Sequence, residues 1–149
     1  MYNYEVNLAW NTDRKGVVSS PVLPVSIEVA TPPEFPKGMP GIWSPEHLFV
    51  ASVSSCLMTT FLAVAENSKF EFQEFSCNAV GKLEKVDGKM MISSITLFPE
   101  VVINDPEQEE RAIRILGMSE KACLISNSVA SKVEMVPKVV FSNELIAQN

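Results

Sequence analysis

Apolar and polar residues alternate along the opening of the chain. Over residues 2–10 the even positions are Tyr2, Tyr4, Val6, Leu8 and Trp10, while Asn3, Glu5 and Asn7 occupy odd ones. A period of two predicts a half-buried strand. Residues 11–16 are polar and read as a turn. Strand character resumes over 17–30, with Val25, Ile27 and Val29 on one face and Ser26 and Glu28 on the other. The opening is therefore a hairpin or small meander. Residues 31–42 then hold Pro32, Pro33, Pro36, Gly38, Pro40 and Gly41, which excludes regular structure.

Ser44-Pro45-Glu46 announces a helix. Serine suits the N-cap, proline the first helical position, and an early glutamate the positive end of the helix dipole. The helix is expected over 45–66. Over 48–65 it is apolar on nearly every side, relieved only by Ser52, Ser54, Ser55, Thr59 and Thr60. A helix without a wide polar face is buried all round, and in so small a domain a second subunit would supply part of that cover. Residues 70–81 read as a strand, Asp87-Gly88 as a hairpin turn, and 89–98 as its return. Asp105-Pro106 starts a second helix, with Gln108 placed to close a capping box. Gly117 is a candidate break, residues 119–131 read as helical, and 133–141 as an edge strand because of Pro137. Strands come in hairpin groups rather than singly between helices, so the fold class is α+β.

The chain has 149 residues, 46% of them hydrophobic, which fits one domain over 1–149 with a core of its own. No apolar run of spanning length is free of polar groups, so no membrane partner is expected. The first residues lack a basic segment followed by an apolar one, so no signal peptide is expected and the cytoplasm is the expected location. A net charge of −6 argues against a nucleic-acid partner, which needs a basic face.

Three cysteines, at 56, 77 and 123, are far apart and form no C-x-x-C pair. They make neither a disulfide framework nor a zinc site, so no metal or other cofactor is expected. Any one cysteine is more often a small buried hydrophobe than a reactive group, and Cys77, alternating with Phe75 and Ala79, fits that description. Cys56 stands apart because hydroxyls crowd its stretch of helix. Cys123 is either a core position or a resolving thiol. A reactive thiol must be a thiolate, and a free one is only ~3% ionised at pH 7. A mid-helix cysteine gets no help from a helix N-terminus, so a cation is wanted, and arginine keeps its charge. The three arginines are Arg14, Arg111 and Arg114. Arg111 and Arg114 are placed to pair with glutamates on their own helix. Glu46 and His47 lie ten and nine residues before Cys56, roughly 14–15 Å along a straight helix, so a Cys–His dyad within one helix is disfavoured.

Trp43-Ser44-Pro45-Glu46-His47-Leu48-Phe49, followed by Ala51 and Cys56, resembles the OsmC/Ohr family of osmotically inducible and organic hydroperoxide resistance proteins. Ala122-Cys123-Leu124-Ile125-Ser126-Asn127 is similar to that family's second cysteine motif. The resemblance covers nearly the whole chain. It implies an OsmC-like fold of antiparallel sheets around a long central helix, in an intertwined homodimer with sites at the subunit interface. It implies a thiol peroxidase acting on organic hydroperoxides or hydrogen peroxide, with a peroxidatic Cys56, a resolving Cys123, and Glu46 and Arg14 as the family's glutamate and arginine. An external thiol or dithiol would be the reducing partner. The competing expectation is a dimer of the same fold that binds a small apolar ligand or a partner without catalysis, using the apolar helix and the loop bearing Phe35, Met39 and Trp43.

Overall fold

The computed structural model of the chain describes residues 1–143. They fall into two compact units, Met1–Phe49 and the described residues from Val50 onward.

In the first unit, β1 (Asn7–Thr12), β2 (Lys15–Ser20) and β3 (Leu23–Ala30) form an antiparallel meander in chain order. The predicted meander is present, but the first strand starts at Asn7 rather than Tyr2. Its burial also differs from the alternation: all six residues of β1 are exposed in the single chain, Leu8 and Trp10 included. Asp13 adopts φ 49° and accepts the Trp10 indole N–H on its carbonyl at 3.1 Å, which fixes the β1–β2 turn. The proline-rich loop folds back on this sheet. Thr31 N–H donates to the Arg14 carbonyl at 3.1 Å, Met39 N–H to Thr31 at 2.9 Å, and Ala30 N–H to Trp43 at 2.9 Å. Gly38 is required here, since a Cβ would lie 2.0 Å from the Pro32 carbonyl oxygen.

Helix α1 (Pro45–Asn67) follows. Ser44 caps it as its sequence predicts, with the His47 N–H donating to Ser44 Oγ at 3.1 Å. Val53, Cys56, Leu57, Phe61 and Ala65 form its buried stripe. Met58 and Leu62 stay exposed, so the all-round burial its composition predicts is not met within one chain. By length and composition α1 would also pass for a membrane span, with a mean hydropathy of 2.0 over its most apolar window. The core helix of a globular domain meets the same criterion.

In the second unit β4 (Glu74–Val86) and β5 (Lys89–Ile103) make a long antiparallel hairpin. Asp87 and Gly88, with φ 48° and 80°, turn it as an Asp-Gly pair should. Helix α2 (Glu109–Ala122) comes next, then β6 (Lys132–Met135) and β7 (Lys138–Phe141). Both of these pair parallel with β5. The antiparallel hairpin expected is thus extended into a mixed sheet, because α2 carries the chain back before it pairs. Pro137 lies in the gap between β6 and β7, where its missing N–H costs no ladder bond. Phe61, Ala65 and Phe70 join Val101, Ile103, Ala112, Ile115 and Leu116 in one core cluster. Phe61 stacks on Phe75 with centroids 4.8 Å apart and meets Phe72 edge-on at 5.0 Å.

Four local expectations are corrected. Helix α2 runs through Gly117 without a break, and ends at Ala122 instead of continuing to residue 131. Gln108 closes no capping box: its side chain accepts from Arg111 at 3.2 Å, although Asp105 does cap, accepting from the Glu107 N–H at 3.0 Å. Arg111 reaches across to the Ser68 carbonyl and lies over the Phe70 ring, so it ties α2 to the end of α1 instead of pairing with glutamates.

Candidate active site

The thiol pair is built in the second unit. Cys56 sits mid-way along α1, and its sulfur is the acceptor of an unusual set of donors. The helix α2 stops where Cys123 takes an extended ψ of 109°. The next amides, of Leu124 and Ile125, would in a longer helix bond back to carbonyls one turn earlier. Released from that ladder, they help to lower the Cys56 thiol. A short 3-10 turn, Ser126–Ser128, closes the loop behind them, with Asn127 N–H on the Cys123 carbonyl at 3.1 Å. Thr60, one turn along α1, sets its hydroxyl 3.9 Å from the same sulfur.

Burial pushes the Cys56 thiol up, but the Cys123 S–H, the Ile125 amide, the Thr60 hydroxyl and the Leu124 amide together outweigh it and bring Cys56 below the ordinary thiol value. These donors bind the anion better than the neutral thiol. Cys123 moves the other way. Burial raises it, and so does donating its proton towards Cys56. It also closes the C-terminal end of α2, where the helix dipole opposes an anion. Ser126 Oγ is buried with no hydrogen bond of normal geometry, and its pull on Cys123 is the weaker influence. Cys77 lies apart on β4. Burial raises it against a single backbone donor from Phe98, and its own S–H is directed at the Asn78 carbonyl, 3.5 Å away.

The other predicted residues lie in the first unit. Arg14 and Glu46 line one cavity of about 340 Å³ together with Phe35, Pro36 and Pro45. The Thr31 bond to the Arg14 carbonyl brings the hairpin turn beside the proline-rich loop, and the loop delivers Glu46 on the first turn of α1. Arg14 also lines an adjoining cavity of about 500 Å³ with Asp13, Lys37 and Met39. Among the described residues no ion pair joins Arg14 to Glu46, and Glu46 Oε2 is buried without a hydrogen-bond partner. An orphaned carboxylate oxygen is costly, and it marks Glu46 as a group built to receive a donor. His47 takes no part in this cavity. Its Nδ1 is 2.6 Å from Ser44 Oγ, and its ring meets Trp43 edge-on.

Residues 38–138 match the family model described as OsmC-like protein. The chain belongs to the OsmC-like family. No curated protein matches it significantly in sequence. Several solved structures share the OsmC-like fold. An OsmC-like protein of unknown function from Vibrio cholerae superposes with a TM-score of 0.83 at 24% identity, covering 92% of this chain and 99% of that one. An organic hydroperoxide resistance protein from Legionella pneumophila gives 0.75 at 20% identity, over 94% and 98%. Another from Bacillus subtilis gives 0.70 at 19% identity, over 93% and 98%.

The amides of Leu124 and Ile125 are the part of this OsmC-like site that side-chain reasoning missed. The signal was the run Ser126-Asn127-Ser128, whose side chains favour turns over helix.

Proposed function

We propose that this OsmC-like chain is a thiol-dependent peroxidase. The observation that carries the reading is the setting of the Cys56 sulfur, which the Thr60 hydroxyl meets at 3.9 Å and which is shifted below the ordinary thiol value while Cys123 is shifted above it. The Cys56 thiolate attacks one oxygen of the hydroperoxide, ROOH. The O–O bond breaks, Cys56 becomes the sulfenic acid, and the alkoxide leaves as ROH after taking a proton. The Cys123 thiol then attacks the sulfenic sulfur. A disulfide forms and water leaves with the Cys123 proton. Two equivalents of an external thiol, or one dithiol, reduce the disulfide. Organic hydroperoxides or hydrogen peroxide are the substrates, in keeping with the names of the Legionella and Bacillus proteins.

Arg14 and Glu46 act as a pair in this reading. Glu46, whose Oε2 lacks a donor, holds the Arg14 guanidinium, and the guanidinium stabilises charge on the departing oxygen. The functional unit is a homodimer whose sites draw on both chains. The exposed apolar residues Leu8, Trp10, Met58 and Leu62 support a partner of that kind.

Two variants test the chemistry. Cys56→Ser should abolish peroxide consumption under a dithiol reductant. Cys123→Ser should complete a single turnover and leave a sulfenic acid that a dimedone-type reagent traps. Equal loss of the first turnover in both variants, or thiol consumption without turnover in the unsubstituted protein, would rule the scheme out.

A further inference from the structure

Helix α1 carries a cluster of hydroxyls around Cys56, and all but one of those whose bonds are seen follow one habit. Ser54 donates to the Ala51 carbonyl at 3.1 Å, Ser55 to the same carbonyl, and Thr59 to the Cys56 carbonyl at 3.1 Å. This back-bonding is the usual way for a hydroxyl within a helix to find a partner. Thr60 departs from it. Its hydroxyl makes its contact with the Cys56 sulfur at 3.9 Å, although the carbonyl of residue 56 is within the usual reach of a threonine four residues on. Thr60 is half-buried.

We propose that Thr60 is a catalytic residue whose hydroxyl donates to the Cys56 thiolate, holding it ionised and aimed during attack. The proposal rests on Cys56 being the nucleophile of the reaction above. Its logic is a division of labour among the donors. The Cys123 S–H is itself a reactant in the second step, when Cys123 attacks the sulfenic acid. The Leu124 and Ile125 amides ride on the same loop as Cys123. Thr60 is carried by α1 itself, one turn from the nucleophile, and its donation does not depend on where the Cys123 loop stands. No atom is transferred to or from Thr60: it remains a hydroxyl throughout.

The test is the pH dependence of Cys56 alkylation by iodoacetamide in the full chain, followed at each cysteine by peptide mass spectrometry. Thr60→Val keeps the shape and removes the donor. Its Cys56 midpoint should rise by about one unit, a tenfold loss of thiolate at pH values below both midpoints, with the Cys77 midpoint unmoved. Thr60→Ser keeps the donor and should restore the original midpoint. Thr60→Ala repeats the measurement with a residue that favours helix, in case valine disturbs the fold. An unchanged midpoint in the Val and Ala variants, or a Ser variant shifted as far as they are, overturns the proposal. This readout needs no peroxide. A shifted midpoint in a protein that turns over no hydroperoxide would uphold Thr60 and refute the peroxidase. Turnover with an unmoved midpoint would do the reverse.

Discussion

The Cys56 and Cys123 thiols influence one another, and they are shifted in opposite directions, Cys56 below the ordinary thiol value and Cys123 above it. The shifts favour the anion at the mid-helix residue and the neutral thiol at the helix-terminal one. That is the polarity a nucleophile and its resolver require.

Mild hydroperoxide should therefore link Cys56 to Cys123 within one chain and leave Cys77 free. Non-reducing peptide mapping of the oxidised protein checks this. A bridge through Cys77, or one found solely between chains, would show that this pair is not the redox pair.

The pH dependence follows in sign. A lowered value means that Cys56 becomes thiolate at a lower pH than an ordinary cysteine, while the raised values of Cys77 and Cys123 delay theirs. As pH is increased, the alkylation profile of Cys56 should thus reach its midpoint first and that of Cys77 later. Midpoints are the quantity to compare, since absolute rates also reflect burial. Site-resolved alkylation across neutral to alkaline pH gives the order, and a Cys77 midpoint below that of Cys56 would contradict the donor set seen at the sulfur.

Glu46 and Cys56 stand on one continuous helix, too far apart to touch along it. If two copies of α1 pack antiparallel, Glu46 of one chain approaches Cys56 of the other. Mixing Glu46→Ala with Cys56→Ser subunits then creates one intact site per heterodimer, and peroxidase activity absent from both parents should return. Verified heterodimers without activity would assign both residues to the same subunit's site.

Phe61 carries the aromatic cluster of the second unit. It is fully buried, and it touches both Phe72 and Phe75. Phe61→Ala should cost about 3–5 kcal/mol, read as a fall in the denaturant midpoint at unchanged slope. A loss below about 1 kcal/mol would mean that the site collapses freely, against the close packing seen.

Much of this was legible in the residues, for reasons that can be named. Ser44-Pro45-Glu46 marks a helix start because cap chemistry is local, and Asp87-Gly88 marks a hairpin because few pairs accept positive φ in succession. The long-range pairings were not legible. Nothing in the sequence of β6 and β7 tells parallel from antiparallel, since both leave the same alternation. The exposure of Leu8 and Trp10 ran against their pattern, because alternation reports a face that wants cover and not which molecule supplies it. At the thiol pair, the two cysteines were visible as candidates, and Thr60 was visible only as one of several hydroxyls near Cys56. The end of α2 at Ala122 was not, because Cys123-Leu124-Ile125 would continue a helix as readily as leave one.

The turn after Cys123 has a consequence for how such sites persist through evolution. Two of the donors around Cys56 are main-chain amides, and every residue except proline supplies one. Positions 124 and 125 can thus change side chain while these two amide donors are kept, provided the chain still leaves the helix at the same point. A comparison of relatives that scores amino-acid identity will pass over these two positions. One that scores backbone conformation, or the absence of proline, will find them.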